Sequence, residues 1–233
     1  MKAVRVILAL CLTGAAVVVP ALSAGRNASG FAADLSPSLL FLARSAADRA
    51  VDEIRVEKPK LLTVIDYSRP STEPRLWVLD RATGDVLWRE LVAHGRGSGE
   101  NYATSFSNDE GSHQSSLGLF LTEDTYEGAN GYSLRLRGLE KGVNDKARER
   151  AIVIHGAPYV SREFARANGR LGRSYGCPAL PLDDARDIID KIKGGSLVFA
   201  YYPDRDWLDT SHYLKGARET IQSILDAKQD AKQ

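Results

Sequence analysis

The chain has 233 residues, enough for one or two domains, and 43% of them are hydrophobic while 26% are charged. With 20 glycines and 9 prolines this is the composition of an ordinary globular protein, and it excludes a collagen-like, a mainly disordered or a polytopic membrane chain. The formal net charge of +1 creates no strong basic field, so nucleic acid is not a predicted partner.

Residues 1–24 have the order of an export signal. A positively charged start is followed by an apolar run at 6–19 and then by small residues. The apolar run is shorter than the roughly 20 residues of a membrane-spanning helix, so an uncleaved anchor is the weaker alternative. We expect an exported protein of the periplasm or cell envelope, with no stable membrane span after processing. Cleavage is expected after one of three small residues, Ala21, Ser23 or Ala24.

Removal of this signal changes both the charge and the cysteine content. It takes away Lys2, Arg5 and Cys11, which leaves 29 basic and 30 acidic residues, a net charge of −1, and a single thiol at Cys177. One thiol in an exported chain cannot form an internal disulfide. It is therefore an inert buried group, an intermolecular bridge or a reactive group.

An N-terminal helical segment is predicted at 25–58. Ser36 suits the N-cap and Pro37 the first turn of a helix, and apolar residues continue at helical spacing to Ile54. Pro59 ends the segment. We expect this helix to pack on the part of the chain that follows it.

Beyond this helix the hydrophobic pattern becomes that of strands. Seven short apolar runs are predicted strands, at 61–67, 75–80, 85–92, 116–122, 133–137, 151–155 and 196–202. The Arg-Ala-Thr-Gly sequence at 81–84 is typical of a hairpin, and a helix is predicted at 182–193 before Gly194. Many short strands with few helices indicate a mainly β domain at 59–205 with a helical tail at 206–233.

The densest set of chemical groups lies in the second half of the chain. An apolar strand ends in His155 and Gly156, and the sequence Gly-Arg-Ser-Tyr-Gly-Cys-Pro-Ala follows at 172–179. A lone cysteine is most often a small buried hydrophobe, but Cys177 follows polar residues that are poor core neighbours. A histidine beside a thiol can hold it as a thiolate–imidazolium pair at neutral pH, so the two residues are informative together.

Metal binding is the rival use of histidine and cysteine. The four histidines, at 94, 113, 155 and 212, show no short paired spacing. Zinc ligation is therefore disfavoured, and we predict no metal site and no cofactor.

These residues resemble the catalytic signature of murein L,D-transpeptidases of the YkuD type. In that family a histidine is followed, after a gap, by Ser/Thr-His-Gly-Cys. This chain has His-Gly at 155–156 and Ser-Tyr-Gly-Cys at 174–177, which is more similar to the variant branch with Ser-x-Gly-Cys-Pro-Ala. Segments 112–120 and 133–140 also resemble that branch, and the resemblance covers 60–203.

The resemblance implies a fold, a reaction and a substrate. The fold would be a β-sandwich-like catalytic domain with flanking α-helices, and the substrates would be peptidoglycan stem peptides. Cys177 would attack as the nucleophile, with His155 as its base. Two residues depart from the usual pattern: Tyr175 replaces a histidine, and Ala179 stands where Arg or Asn often follows.

Further roles follow as expectations from the same resemblance. The backbone N–H groups of Cys177 and Gly176 would stabilise the oxyanion, with that of Tyr175 as a further candidate. Gly156 would leave space beside the base, and a backbone carbonyl would orient the imidazole, with Ser174 as a neighbour. A carboxylate of the substrate would be held by an arginine, and Tyr159 and Tyr175 would line the cleft. The candidate arginines, each of which could equally be a solvated surface charge, are Arg173, Arg137 and Arg150.

Two other functions remain open at this point. Water in place of the acceptor amine would make the protein an L,D-carboxypeptidase or another peptidoglycan hydrolase. A non-catalytic envelope scaffold is the second alternative, and the retained thiol argues against it. The sequence leaves the oligomeric state unknown.

Overall fold

The computed structural model describes residues 34–54 and 60–230, so the predicted signal at 1–24 lies outside the described residues. Within those ranges, five α-helices flank eight β-strands. The helices are α1 (Pro37–Ile54), α2 (Arg162–Asn168), α3 (Leu182–Ile192), α4 (Arg205–Thr210) and α5 (Arg218–Asp230). The strands are β1 (Leu61–Asp66), β2 (Leu76–Asp80), β3 (Val86–Glu90), β4 (Gly118–Gly128), β5 (Gly131–Gly138), β6 (Val153–Ala157), β7 (Ala179–Pro181) and β8 (Leu197–Tyr201).

All eight strands belong to one mixed sheet with the order β3-β2-β1-β8-β4-β5-β6-β7. The β1–β8 and β6–β7 pairs are parallel, and the other pairs are antiparallel. The two ends of the sheet meet, because the chain just after β3 pairs with β7 through Ala93 and Ala179. The predicted fold class, mainly β with flanking helices, is confirmed.

The core lies between helix α1 and the centre of the sheet. Strands β1 and β8 are buried along their whole length, as expected for neighbouring central strands covered on both faces. Helix α1 buries Leu39, Leu42 and a series of alanines, whose small side chains let it approach the sheet closely. The N-terminal helix is therefore part of the core, while the predicted domain limits stay a prediction.

The C-terminal tail is joined to the sheet through a buried carboxylate. Glu140 accepts hydrogen bonds from Leu119 N (2.8 Å), Ser211 Oγ (2.6 Å) and Trp207 Nε1 (3.2 Å). Burial raises the pKa of Glu140, and these bonds oppose that shift. The helical tail predicted at 206–233 contains two helices in the described residues, α4, which starts at Arg205, and α5, separated by a segment in which Gly216 has a φ of +102°.

Two local features differ from the sequence expectations. Strands β4 and β5 extend well past the predicted runs and form one long hairpin that turns at 129–130. Helix α2 was not predicted, although Ser161 Oγ caps it by accepting from Phe164 N (3.1 Å) and Gly169 ends it in the left-handed region. In the described part of the chain, no helix is long and apolar enough to cross a membrane.

Candidate active site

The segment before Cys177 is a tight turn closed by one side chain. Ser174 Oγ accepts a hydrogen bond from Gly176 N (3.0 Å) and donates one to the carbonyl oxygen of Cys177 (2.6 Å). Gly176 has a φ of +127°, where residues with a Cβ are strained. A Cβ there would also lie 2.9 Å from both Gln114 O and Ile152 Cδ1, so this position requires glycine.

Buried serines connect this turn to two neighbouring loops. Ser115 Oγ donates to Gly176 O (3.0 Å) and accepts from Gly95 N (3.0 Å). Ser115 N in turn donates to Ser98 Oγ (2.9 Å). Because both serines are almost fully buried, these bonds compete with little water and fix the turn in place.

The thiol of Cys177 lies against the backbone that leads into β6. Val153 N donates to Cys177 Sγ (3.4 Å), and the thiol donates to Ala151 O (3.6 Å). Only 8% of the residue is exposed. Burial raises the pKa of the thiol, while the Val153 hydrogen bond and the positive charge of Arg150 oppose that shift.

The guanidinium of Arg150 is occupied by groups of the protein itself. Nη1 donates to Ser107 O (2.7 Å) and Ser116 Oγ (2.5 Å), and Nη2 donates to Gln114 O (2.7 Å) and Ser112 Oγ (3.2 Å). Arg150 therefore organises the 107–116 loop beside the thiol. Its charge acts on Cys177, and the N–H groups of both Nη nitrogens are used within the protein.

His155 is held by the carbonyl of the next residue. The distance from His155 Nδ1 to Gly156 O is 3.0 Å, so the tautomer with a proton on Nδ1 makes this bond and leaves the Nε2 lone pair available. The ring is almost fully buried, and burial lowers its pKa. His155 is therefore a neutral imidazole at neutral pH, as a general base must be.

Strand pairing places the base and the thiol in the same part of the sheet. His155 on β6 pairs with Ala179 on β7, and Cys177 is two residues before Ala179, with its thiol against the backbone of residues 151 and 153 that leads into β6. Among the described residues, no hydrogen bond joins His155 to Cys177. Burial raises the pKa of the thiol and lowers that of the imidazole, so burial favours the neutral form of each group, and the thiolate–imidazolium pair stays a prediction.

Residues 32–201 match the profile of the L,D-transpeptidase catalytic domain. The chain belongs to that family. The match begins before α1 and ends with β8, so it includes the core helix, the whole sheet and both residues of the candidate nucleophile–base pair.

Solved L,D-transpeptidases share little sequence with this domain. The protein from Mycobacterium smegmatis is 15% identical with a TM-score of 0.38, and the match covers 61% of this chain and 59% of that one. The protein from Stackebrandtia nassauensis is also 15% identical with a TM-score of 0.38, over 72% of this chain and 67% of that one. Family membership therefore rests on the profile match.

One curated relative has a name from a different area of chemistry. A 3-methyl-2-oxobutanoate hydroxymethyltransferase of Pelodictyon phaeoclathratiforme (strain DSM 5477 / BU-1) is 28% identical over 142 residues, or 59% of this chain. The match covers 41% of that protein, so this chain spans less than half of the relative's length. Its name describes the relative, and no activity passes from it to this L,D-transpeptidase domain.

Gly156 lies against helix α3, and Tyr159 packs on the segment before the nucleophile, within electrostatic range of Cys177, in this L,D-transpeptidase domain. A Cβ on Gly156 would lie 2.9 Å from Ala185 Cβ, so its small size lets α3 approach the opposite face of the sheet. Gly156 contacts the base His155 through its carbonyl oxygen. Tyr159 packs on Gly172, where a Cβ would come within 2.4 Å of Tyr159 Cβ, and burial raises its pKa to about 12.

Tyr175 is the exposed member of the predicted site. It is 67% exposed, and its ring lies 4.5 Å from Arg96 Cζ and 4.8 Å from the His113 ring. Arg96 Nε donates to His113 Nδ1 (3.0 Å). The sequence assigned a role to Tyr175 alone, because Arg96 lies outside the motifs and His113 entered only as part of segment 112–120.

The other predicted carboxylate ligands are paired within the domain. Arg173 Nη1 donates to Gly99 O (3.0 Å) and to Glu100 Oε1 (2.6 Å). Arg137 lies 3.5 Å from Glu123. In the described part of the chain, no cluster of three or more His, Cys, Asp or Glu side chains could hold a metal ion.

Proposed function

We propose that the protein is an exported cysteine L,D-transpeptidase that acts on peptidoglycan stem peptides through a thioester on Cys177. The observation that carries this proposal is the His155 Nδ1 contact with Gly156 O. It fixes the ring so that Nε2 is the free nitrogen, on β6, whose first residue, Val153, donates its N–H to Cys177 Sγ. This arrangement provides a thiol and a proton acceptor for one substrate carbonyl.

In the first half-reaction Cys177 Sγ attacks the carbonyl carbon of the third stem residue, a diamino acid. The thiol proton passes to His155 Nε2 as the C–S bond forms, since burial favours the neutral form of both groups. The tetrahedral intermediate then breaks its C–N bond. His155 returns the proton to the leaving amine, and the terminal D-alanine departs with the thioester left on the enzyme.

The oxyanion of that intermediate needs a backbone donor close to the nucleophile. Gly176 N–H, one of the expected donors, already donates to Ser174 Oγ. Pro178 has no N–H. The N–H of Cys177 is therefore the donor that we assign to the oxyanion, with Ser174 holding the turn that aims it.

The second half-reaction decides between transfer and hydrolysis. An acceptor amine from a neighbouring stem would attack the thioester, give its proton to His155 and release the thiol with a new peptide bond. Water attacking in the same way would release a free carboxylic acid and make the enzyme an L,D-carboxypeptidase. Digestion of purified sacculi separates the two, since 3→3 cross-links mark transfer and trimmed tripeptides mark hydrolysis.

Intact-mass measurement with a purified stem tetrapeptide tests the thioester directly. The mature protein should gain the mass of the acyl group, Cys177→Ser should form no thioester, and His155→Ala should acylate about 10²- to 10⁴-fold more slowly. Acylation of Cys177→Ser at the wild-type rate would overturn the assignment. An unreactive wild-type thiol would instead favour the scaffold alternative.

Export is a separate part of the proposal. Processing should remove the positively charged start and the apolar run, leaving a mature protein that begins after one of the small residues at 21–24. N-terminal sequencing of the protein recovered from the cell envelope measures this. An intact Met1 on envelope-associated protein would contradict it.

A further inference from the structure

A cavity of about 240 Å³ lies beside residues 151–153, at the start of β6. One side is formed by Tyr126, Arg135 and Arg148, and the other by residues 151–153. Those last residues are the ones whose backbone contacts Cys177 Sγ. The cavity is therefore cationic and shares a wall with the nucleophile.

Strand pairing brings Arg135 close to the nucleophile. Arg135 on β5 pairs with Val153 on β6, and Val153 N donates to Cys177 Sγ (3.4 Å). The paired Arg135 and Val153 lie on one face of the sheet. With strands about 4.8 Å apart, the backbone of Arg135 lies on the order of 10 Å from the thiol, a distance that one extended residue and an arginine side chain can bridge.

The guanidinium of Arg135 is positioned but incompletely bonded. Its Cζ lies 4.0 Å from the centre of the Tyr126 ring. Nη1 is 3.7 Å from Asp124 Oδ2, too far for a hydrogen bond, and this buried nitrogen has no hydrogen-bond partner among the described residues. A planar donor of this kind suits a carboxylate, which can accept two parallel N–H bonds.

The surrounding charges leave the cavity with a positive excess. Three arginines, at 135, 137 and 148, face two acidic residues, Glu123 and Asp124. Arg148 contacts both acids, and Arg137 contacts Glu123. Because all five side chains are partly exposed, an incoming carboxylate can take the place of Asp124 at Arg135.

We propose that this cavity is a carboxylate subsite, in which Arg135 binds a carboxylate of the donor peptide that flanks the scissile carbonyl. The inference rests on the proposed function of Cys177 and adds the substrate group that is recognised. Two carboxylates of such a peptide lie within one residue of the scissile carbonyl. They are the C-terminal carboxylate of the departing D-alanine and the side-chain carboxylate of the diamino acid.

Alkylation of Cys177 tests the cationic cavity without any peptidoglycan. Iodoacetate carries a carboxylate and iodoacetamide a neutral amide, so the ratio of their rates measures attraction of an anion to the thiol. Arg135→Gln should lower the iodoacetate/iodoacetamide ratio by about 3- to 10-fold, the effect of one charge at this distance in a partly hydrated site. Arg135→Lys, which keeps the charge, should retain most of the ratio.

Arg186 provides a matched control on the opposite face of the same strands. It stacks on Tyr132 with Cζ 4.2 Å from the ring centre and pairs with Glu127 (3.3 Å), much as Arg135 stacks on Tyr126. Arg186→Gln makes the same change in net charge and should leave the rate ratio unchanged. An equal ratio in wild type and Arg135→Gln, or an equal loss in both variants, would overturn the subsite.

Peptide variants identify which carboxylate is bound. If the C-terminal carboxylate is the ligand, a tetrapeptide amide should show a raised KM that Arg135→Gln does not raise further. If the side-chain carboxylate of the diamino acid is the ligand, a peptide amidated at that carboxylate should show the raised KM, and Arg135→Gln should not raise it further. A changed alkylation ratio without peptide acylation would support the subsite and overturn the proposed function, whereas acylation with an unchanged ratio would do the reverse.

Discussion

Gly176→Ala is the substitution whose cost the structure defines most closely. The residue has a φ of +127°, and an added Cβ would lie 2.9 Å from a backbone oxygen and from a buried methyl group. A Cβ at positive φ costs about 1–2 kcal/mol, of which restriction of the unfolded chain recovers about 0.4–1 kcal/mol. Crowding in a packed site adds about 1–3 kcal/mol, so we expect a total loss of about 1–4 kcal/mol.

Gly216→Ala separates the cost of a Cβ at positive φ from the cost of crowding. Gly216 has a φ of +102°, and a Cβ there would meet nothing within 4 Å. It therefore reports the backbone cost alone, about 1 kcal/mol after the unfolded-state correction. For a domain of this size each kcal/mol lowers Tm by about 2–4 °C.

Calorimetry of the mature protein and both variants, paired with Cys177 alkylation rates, measures these effects. Gly176→Ala should have the lower Tm and should also change the alkylation rate, because the crowding displaces the turn that carries the thiol. Gly216→Ala should alkylate like wild type. Equal Tm values for the two variants would refute the reasoning from crowding.

Three further predictions concern the same turn. Ser115→Ala should lower the free energy of unfolding by about 1–3 kcal/mol in urea titration, since it leaves two buried backbone groups without their partner; wild-type stability would contradict this. Arg150→Gln should move the pH midpoint of Cys177 alkylation upward, because the charge of Arg150 lowers a pKa that burial has raised; an unchanged or lower midpoint would show that this charge does not stabilise the thiolate. Tyr175→Phe should retain measurable acylation in the intact-mass assay, because an exposed phenol is a poor base at neutral pH, and a loss as complete as in Cys177→Ser would assign the hydroxyl a chemical role.

Local patterns were sufficient to predict most of the fold. The N-cap and proline at 36–37 marked the start of α1, and apolar runs marked the central strands, since burial on both faces leaves a continuous hydrophobic sequence. Helix α2 was not predicted because it has seven residues and buries only Ala165, so its sequence shows almost no helical periodicity of apolar residues. Its remaining signal was the serine cap and the closing glycine.

The geometry of the site depends on contacts that sequence spacing does not reveal. Cys177 and His155 belong to one sequence motif, but the three-residue strand β7, which pairs with β6 beside the thiol, has no clear sequence signal. Arg150 was one of three candidate arginines for a substrate carboxylate, each of which could equally be a solvated charge, and its Nη groups bond to the 107–116 loop, more than 30 residues away in sequence. The effect of burial on the pKa values of Cys177 and His155 is likewise something that composition cannot show.

The pairing of Ala93 with Ala179 has a consequence for how the site opens. Ala93 N donates to Ala179 O (2.8 Å), and Ala179 N donates to Ala93 O (3.4 Å), only two residues after the nucleophile. This pairing connects the two end strands of the sheet, β3 and β7, and so covers backbone N–H and C=O groups that would otherwise be free to pair with another chain. Any local unfolding that frees the nucleophile segment must break it, so the hydrogen-exchange protection of these two amides is a direct gauge of how often the catalytic centre comes apart.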